Sequence, residues 1–424
     1  MDVLTNSAQR IIRMRSDARS IFMAGVAAAC PYEAVRRTLT DKQQDFRLSS
    51  GVVVIAIGKA ACSMAQAARS VLRGKIKKAV AVTDAHNFKE VKGCRCVIAD
   101  FPALNHNNVS SAIQDALCAV TDNVAIVLLM SSGGSTMVSA PPFGIDLATR
   151  RSVQDQLAVR SARADEIFTV RNALSVFGED HLAQIVGSHK IISVHLATDC
   201  WEESQAFEIG FAGKTRSIAQ TSLAILEKYQ LNDQVAPAVL DHLRGPCAAS
   251  ERAAFGYVER LLLGTYKASL EGAADAAVCH GLVQARHVWM DDDIDVAAVE
   301  LIGLAQEVRQ IREPVAIVCG RAGSGRRNHE MALRFALLAE KKRLDRPWVF
   351  LSGSTHGDFR SHGQAGAVVD GGSCSWIRQL GIDPAKSVGN ADAQSALAAS
   401  GDLLVIGNTT PNVTNLELIL LGER

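Results

Sequence analysis

At 424 residues, with 48% hydrophobic and 5% aromatic residues and a formal net charge of +1, the chain is too long for a single core and too apolar for a disordered protein. Its balanced charge gives no reason to expect nucleic acid or an anionic membrane surface as a partner. No run of about 18 uninterrupted apolar residues occurs, Asp2, Arg10, Arg13 and Arg15 break up the N-terminus where an export signal needs an apolar core, and the ten cysteines are scattered, so two domains, reduced thiols and a cytoplasmic location are expected.

The first element is the apolar run Val52 to Ile55, which reads as a buried parallel strand, and the Ala/Met/Gln-rich stretch Ala60 to Leu72 after it reads as a helix. Gly58 permits a sharp turn between them, so Lys59 stands at a helix N-terminus, where backbone amides already attract anions. This is not a Walker A loop, because Gly51 to Gly58 is too long a spacing and Ala60 stands where Ser or Thr would meet magnesium. Strands are expected at Lys78 to Val82, Cys94 to Ala99, Ala125 to Met130 and Lys190 to Ala197, alternating with helices at Ser110 to Val120, Leu147 to Arg163 and Arg216 to Tyr229. That alternation implies a doubly wound parallel sheet with ligands beyond the carboxyl ends of its strands.

Three turns in that half carry chemistry. Ser131-Ser-Gly-Gly-Ser-Thr136 follows a buried strand and offers amides and hydroxyls to phosphate oxygens; as a lone motif it would be only a tight connection. Asp199 follows the strand Lys190 to Ala197 and suits a metal ion, a hydroxyl or a helix cap. Arg171 offers a forked cation to a carboxylate, with Asn172 beside it. Cys94 and Cys96 lack the companions a zinc site needs.

The second half repeats the pattern. A strand at Val315 to Cys319 leads into Gly320-Arg-Ala-Gly-Ser-Gly-Arg-Arg-Asn-His-Glu330 and the helix Met331 to Lys341, and so many arginines and glycines before a helix favour an anion. The acidic run Met290 to Val296 reads as a solvated turn before a helix to Arg309. Pro347 to Ser352 reads as a strand emptying into Gly353-Ser-Thr-His-Gly-Asp-Phe359, where His356 and Asp358 suit either acid-base chemistry or a turn. Leu403 to Ile406 and Leu416 to Leu421 are the last strands, flanking the turn Gly407 to Asn415.

In this order and at these separations, Gly58-Lys-Ala-Ala61, Ser131 to Met137, Val170-Arg171 with Leu174-Ser175, Gly325-Arg-Arg-Asn-His-Glu330, Ala365 to Asp370 and Gly407 to Asn415 resemble the glycerate 2-kinase (MOFRL) family along nearly the whole chain. The resemblance implies a two-domain α/β kinase, here divided as 1–245 (Rossmann-like) and 246–424 (MOFRL-type), with its active site in the cleft between them. It implies ATP and Mg2+ as cofactors and a small hydroxy acid, D-glycerate first, as acceptor, with homodimerisation left open. Matched residue by residue, Lys59 and Arg327 would serve the transferring phosphoryl group or the substrate carboxylate, and Asp199 the metal ion or reacting hydroxyl. Ser131, Ser132, Gly133, Gly134, Ser135, Asn328, Glu330, Thr355, His356 and Asn412 would meet the nucleotide or its phosphates, and Arg171, Asn172 and Ser175 the substrate. Such a set suits phosphoryl transfer, which rests on positioning and on neutralising negative charge; one charge pair about 4 Å apart at an effective dielectric near about 20 interacts by about 4 kcal/mol.

The departures concentrate in the turns. The family's second cation after Arg171 is Asn172 here, its aspartate at the turn after the strand Pro347 to Ser352 is His356, and Thr198 to Gln205 keeps the family's aspartate, Asp199, but otherwise departs from its pattern. A kinase with altered acid specificity and a non-catalytic binding protein both suit that pattern. A hydroxypyruvate reductase, the family's common label, lacks the Gly-x-Gly-x-x-Gly turn that dinucleotides require.

Overall fold

The computed structural model describes residues 2–99, 106–137, 141–142, 144–160, 162–175, 189–197, 218–245, 258–290, 293–321, 327–355, 364–407, 409 and 415–423. They form two compact units, residues 31–263 and residues 1–30 together with 264–424.

In the first unit six strands stand in the order β3-β2-β1-β4-β5-β6: β1 Gly51–Ile57, β2 Ile76–Thr83, β3 Arg95–Ile98, β4 Val124–Met130, β5 Ile191–Ala197 and β6 Val258–Gly264. The pairings β2–β3, β1–β2, β1–β4 and β4–β5 are all parallel. Every residue of β1 and β4 is buried, because alternate side chains enter cores on opposite faces. Val53, Ile55 and Ile57 join Val109, Ala112 and Ile113 of the helix His106–Leu117. Val52, Val54 and Ala56 join Cys62, Met64 and Ala68 of the helix Ala61–Leu72. A third, all-helical cluster gathers Val153 and Leu157 of Leu147–Val159, Val170 of Ala164–Ala173, Leu226 of Ile218–Lys228 and Val239 of Pro237–Arg244.

The second unit holds β7 Val283–Met290, β8 Val315–Arg321, β9 Trp348–Ser354, β10 Gln364–Asp370, β11 Leu403–Val405 and β12 Asn415–Leu421, in the order β11-β10-β9-β12-β8-β7. Only β7–β8 is parallel; β8–β12, β12–β9, β9–β10 and β10–β11 are antiparallel. The second half therefore does not repeat the first. Its strands cover both faces too, Ile317, Phe350 and Ile419 packing with the helix Asn328–Lys342 and Val318, Leu351 and Leu418 with the first helix of the chain.

That first helix, Asp2–Ala28, is the clearest difference from the expected division at residue 245. Met14, Ala18, Ile21, Phe22 and Val26 pack on the second unit, against Leu270, Ala273 and Ala277 of the helix Thr265–Cys279 and against β9 and β12. The two helices cross so closely that a Cβ on Gly272 would lie 2.3 Å from the Cβ of Ala28. Arg15 closes the contact, donating to Asp370 Oδ2 at 2.6 Å, to the Val368 carbonyl at 2.7 Å and to Asp402 Oδ1 at 2.7 Å. An amphipathic helix carries no record of which sheet it will cover, so its packing on the second sheet is not legible in the order of the chain. The boundary at the other end falls at 263/264 because β6, whose Glu259 and Arg260 break the apolar run, still adds to the first sheet.

Candidate active site

In the first unit the strand order reverses at β1 and β4, since β2 and β3 lie on one side of β1 while β4, β5 and β6 continue on the other. Such a reversal opens a crevice where connections part. The two turns singled out in the sequence both stand there, because Ile57 is in register with Met130 at the carboxyl ends of the two strands. They are fastened together: the Lys59 amide donates to the Ser132 carbonyl at 3.0 Å, the Ser131 amide to the Ile57 carbonyl at 2.9 Å, and the Ala60 amide to the Ser131 hydroxyl at 3.1 Å. Ser131 thereby caps the helix Ala61–Leu72 from the turn after another strand, where Ala60 has no side chain able to do so.

Gly58 and Gly133 take left-handed backbone angles, φ 118° and 78°. The stem of Lys59 lies over Gly133, its Cγ and Cε each 3.9 Å from where a Cβ of that residue would be. Gly134 begins a single turn of helix, Gly134–Met137, that includes Ser135, and its amide donates to the Ser131 carbonyl at 3.0 Å. Lys59, Ser131, Ser132, Gly133 and Gly134 thus form one small-residue, cation-bearing turn pair.

Arg171, Asn172 and Ser175 lie at the end of the helix Ala164–Ala173, where the Ser175 amide donates to the Asn172 carbonyl at 3.1 Å. The expected helix Leu147 to Arg163 stops instead at Val159, and the Arg163 amide donates to Glu166 at 3.1 Å as the helix Ala164–Ala173 starts. Arg171 stacks over Phe168, its Cζ 4.6 Å from the ring centroid. Burial first, and the charge of Arg150 second, hold its guanidinium down at about 10. Arg150, on Leu147–Val159, is itself only 3% exposed and is lowered by burial and by Arg151. Sequence reading passed over Arg150, although it falls in frame with the buried Val153 and Leu157 of its helix.

In the second unit the expected set divides. Arg327 is exposed just before the helix Asn328–Lys342, with Nε 3.6 Å from Glu330. Glu330 also takes Arg334 at 2.9 Å, which ties it to its own helix. Asn328, expected to face the nucleotide, is instead wholly buried: its oxygen accepts from Arg321 at 2.7 Å and its nitrogen donates to Asn415 Oδ1 at 2.9 Å. Arg321 reaches on to Glu417 at 3.0 Å, and burial pushes that carboxyl up while Arg321 opposes the shift. Thr355 is buried with its carbonyl taking the Thr409 hydroxyl. The signal missed here was Glu417, a carboxylate inside the apolar strand Asn415–Leu421, which needs a buried partner.

Asp199, His356 and Asn412 lie outside the described residues. Among the described residues no group of three or more His, Cys, Asp or Glu side chains is set to hold a metal ion, and no helix is long and apolar enough to cross a membrane. Cys62, Cys94 and Cys96 share one apolar cluster, and burial pushes the Cys62 thiol up to about 11 and raises that of Cys94, which keeps both protonated.

Residues 17–244 match the profile of a domain of unknown function, DUF4147, and residues 312–415 that of the MOFRL family. The chain is 26% identical to the D-glycerate 2-kinase of Thermotoga maritima over 95% of its own length and 97% of that protein's. It belongs to the glycerate kinase family. A crystal structure of the Thermotoga maritima glycerate kinase superposes with a TM-score of 0.83 at 25% identity, covering 96% of this chain and 99% of that one. The glycerate 2-kinase of Pyrococcus horikoshii is 27% identical over 94% of this chain and 95% of its own. Within this glycerate kinase family chain the DUF4147 match takes in β1 to β5 and both fastened turns, while the MOFRL match runs from just before β8 to the first residue of β12.

Proposed function

We propose that this chain is an ATP-dependent kinase that phosphorylates a hydroxyl of a small hydroxy acid, most readily the 2-hydroxyl of D-glycerate. The observation that carries this reading is the union of the Lys59 turn with the Ser131–Gly134 turn at the point where the strand order reverses. Small residues, left-handed glycines and one cation there suit phosphate oxygens, which approach backbone amides closely and whose charge a lysine offsets. ATP would supply the phosphoryl group and Mg2+ would neutralise the phosphate charge. Lys59 and Arg327 would hold the transferring group, Ser131 to Ser135 the nucleotide phosphates, and Arg171 with Asn172 and Ser175 the acid. Asp199 remains the proposed partner of the metal ion or of the reacting hydroxyl, and His356 and Asn412 remain in the proposed nucleotide set. A small hydroxy acid is an anion at neutral pH, and the buried cation Arg150 with the half-buried Arg171 would supply a field suited to its carboxylate.

An ADP-release assay with ATP, magnesium and a panel of hydroxy acids and sugar acids tests this, run beside Lys59→Ala. Turnover with D-glycerate that falls by about 100-fold or more in the variant supports the reading. Turnover with another acid alone moves the specificity while keeping the chemistry. Binding of acids with no ADP release, or oxidation of NAD(P)H by hydroxypyruvate, defeats it.

A further inference from the structure

Four buried polar side chains in the second unit come from separate places in the sequence and form one hydrogen-bonded chain. Arg321 ends β8, Asn328 opens the helix Asn328–Lys342, and Asn415 opens β12 with Glu417 two residues on. All four are between 0% and 1% exposed. Arg321 donates to Glu417 at 3.0 Å and to Asn328 at 2.7 Å; Asn328 donates to Asn415 at 2.9 Å and to the Ala365 carbonyl at 3.3 Å; Asn415 returns to the Arg321 carbonyl at 3.3 Å. The strand register explains the convergence. Asn415 stands opposite Arg321 on one side and Ser354 on the other, so the exits of β8 and β9 and the entrance of β12 share one edge of the sheet.

We propose that Arg321, Asn328, Asn415 and Glu417 are a positioning network that sets the backbone of Arg327 and couples it to the entrance of β12 at Asn415. Its bearing on catalysis rests on the kinase reading above; the coupling itself rests on geometry. Arg327 is one peptide bond from Asn328, and its own side chain is 45% exposed, so burial of that side chain does not set its place. Asn328 does so instead. Its carboxamide acts as a relay, accepting from one strand end and donating to another, and a relay transmits displacement because each partner, if it moved, would leave a buried polar group short of a bond. Apolar side chains of the same volume would fill this edge of the sheet without joining its connections.

The test is Asn415→Ala in the full-length chain, with amide hydrogen exchange and steady-state kinetics measured on folded protein checked by thermal melting. Exchange in the first turn of the helix Asn328–Lys342 should speed up by about tenfold, although residues 328 and 415 are 87 apart in sequence. The kcat for ADP release should fall by about tenfold or more with KM for ATP within about twofold. Faster exchange confined to β12, or an unchanged kcat in an active enzyme, overturns the proposal. A wild type that turns over no ATP defeats the kinase reading alone, because the exchange result still decides the coupling. Should the alanine variant fail to fold, Asn415→Ser keeps a hydroxyl in the cavity and is held to the same outcomes.

Discussion

Gly58 approaches Ser131 so closely that a Cβ on the glycine would stand 2.4 Å from both the carbonyl and the hydroxyl oxygen of the serine. Its φ of 118° is also one that side-chain-bearing residues rarely adopt. The first prediction follows from that pair. Gly58→Ala should destabilise the chain by about 2 kcal/mol or more, since strain and a backbone clash add, and it should part the two turns. Denaturant unfolding measures the first effect and ADP release the second; a variant as stable and active as wild type would mean the turns are not held as described.

In the proposed kinase Arg150 would bear on substrate recognition, without any motif to announce it. Replacing it with methionine keeps much of its buried volume and removes its charge. With D-glycerate as acceptor, Arg150→Met should raise KM for the acid by about tenfold, about 1.4 kcal/mol of binding, while kcat changes little. Arg171, relieved of its neighbour's charge, should then hold its proton more tightly than at about 10. An unchanged KM would remove Arg150 from the anion site.

His195 gives a pH signature. It lies on β5 with its Nε2 2.7 Å from the Ser193 hydroxyl, and burial first and Arg260 second push it from 6.5 down to about 4. Its folded-state value is depressed, so below pH 6.5 the unfolded chain binds a proton that the folded one does not, and stability is lost as pH falls from 6.5 towards 4. The slope should approach about 1.4 kcal/mol per pH unit and the total about 3 kcal/mol. Urea unfolding across that range should show the slope in wild type and a flatter profile in His195→Gln.

Arg15 predicts a dependence of the second unit on the far end of the chain. Arg15→Ala would leave Asp370 and Asp402, with side chains 15% and 8% exposed, without the guanidinium between them. A loss of about 3 kcal/mol is expected, typical of breaking a largely buried pair. A fragment of residues 264–424 should expose the face of Val318, Leu351 and Leu418 that Ile21 and Phe22 cover, and should bind a hydrophobic dye until a peptide of residues 2–30 is added. A fragment that folds tightly without the peptide would show the helix to be dispensable.

Legibility followed burial pattern. β1, β4, β5 and β12 could be read as strands because they are covered on both faces and appear as unbroken apolar runs. β6 and β7 could not, since Glu259, Arg260, Gln284, Arg286 and His287 dilute their apolar residues to a pattern that also suits a loop. Lys59 and the Ser131 turn were visible because each directly follows a buried apolar run, and two such turns together point to a phosphate where either alone would be only a tight connection. Arg321, Glu417 and Arg150 were hidden because a charge inside a core is recognisable only once its surroundings are known.

From the amino-acid order alone came the strand-turn-helix alternation of the first half, the family resemblance and the turns that bear lysine, serine and arginine, all of them properties of residues close together in the chain. Tertiary structure alone decided that the turns after β1 and β4 are bonded to each other, that Asn328 belongs to a buried relay with Arg321 and Asn415, and that the first helix covers the second sheet. Local propensity and periodicity act over a turn or two of chain. Which buried surfaces meet depends on shape and volume across the whole core, and hydrogen bonds between residues 87 positions apart exist only after those surfaces have met.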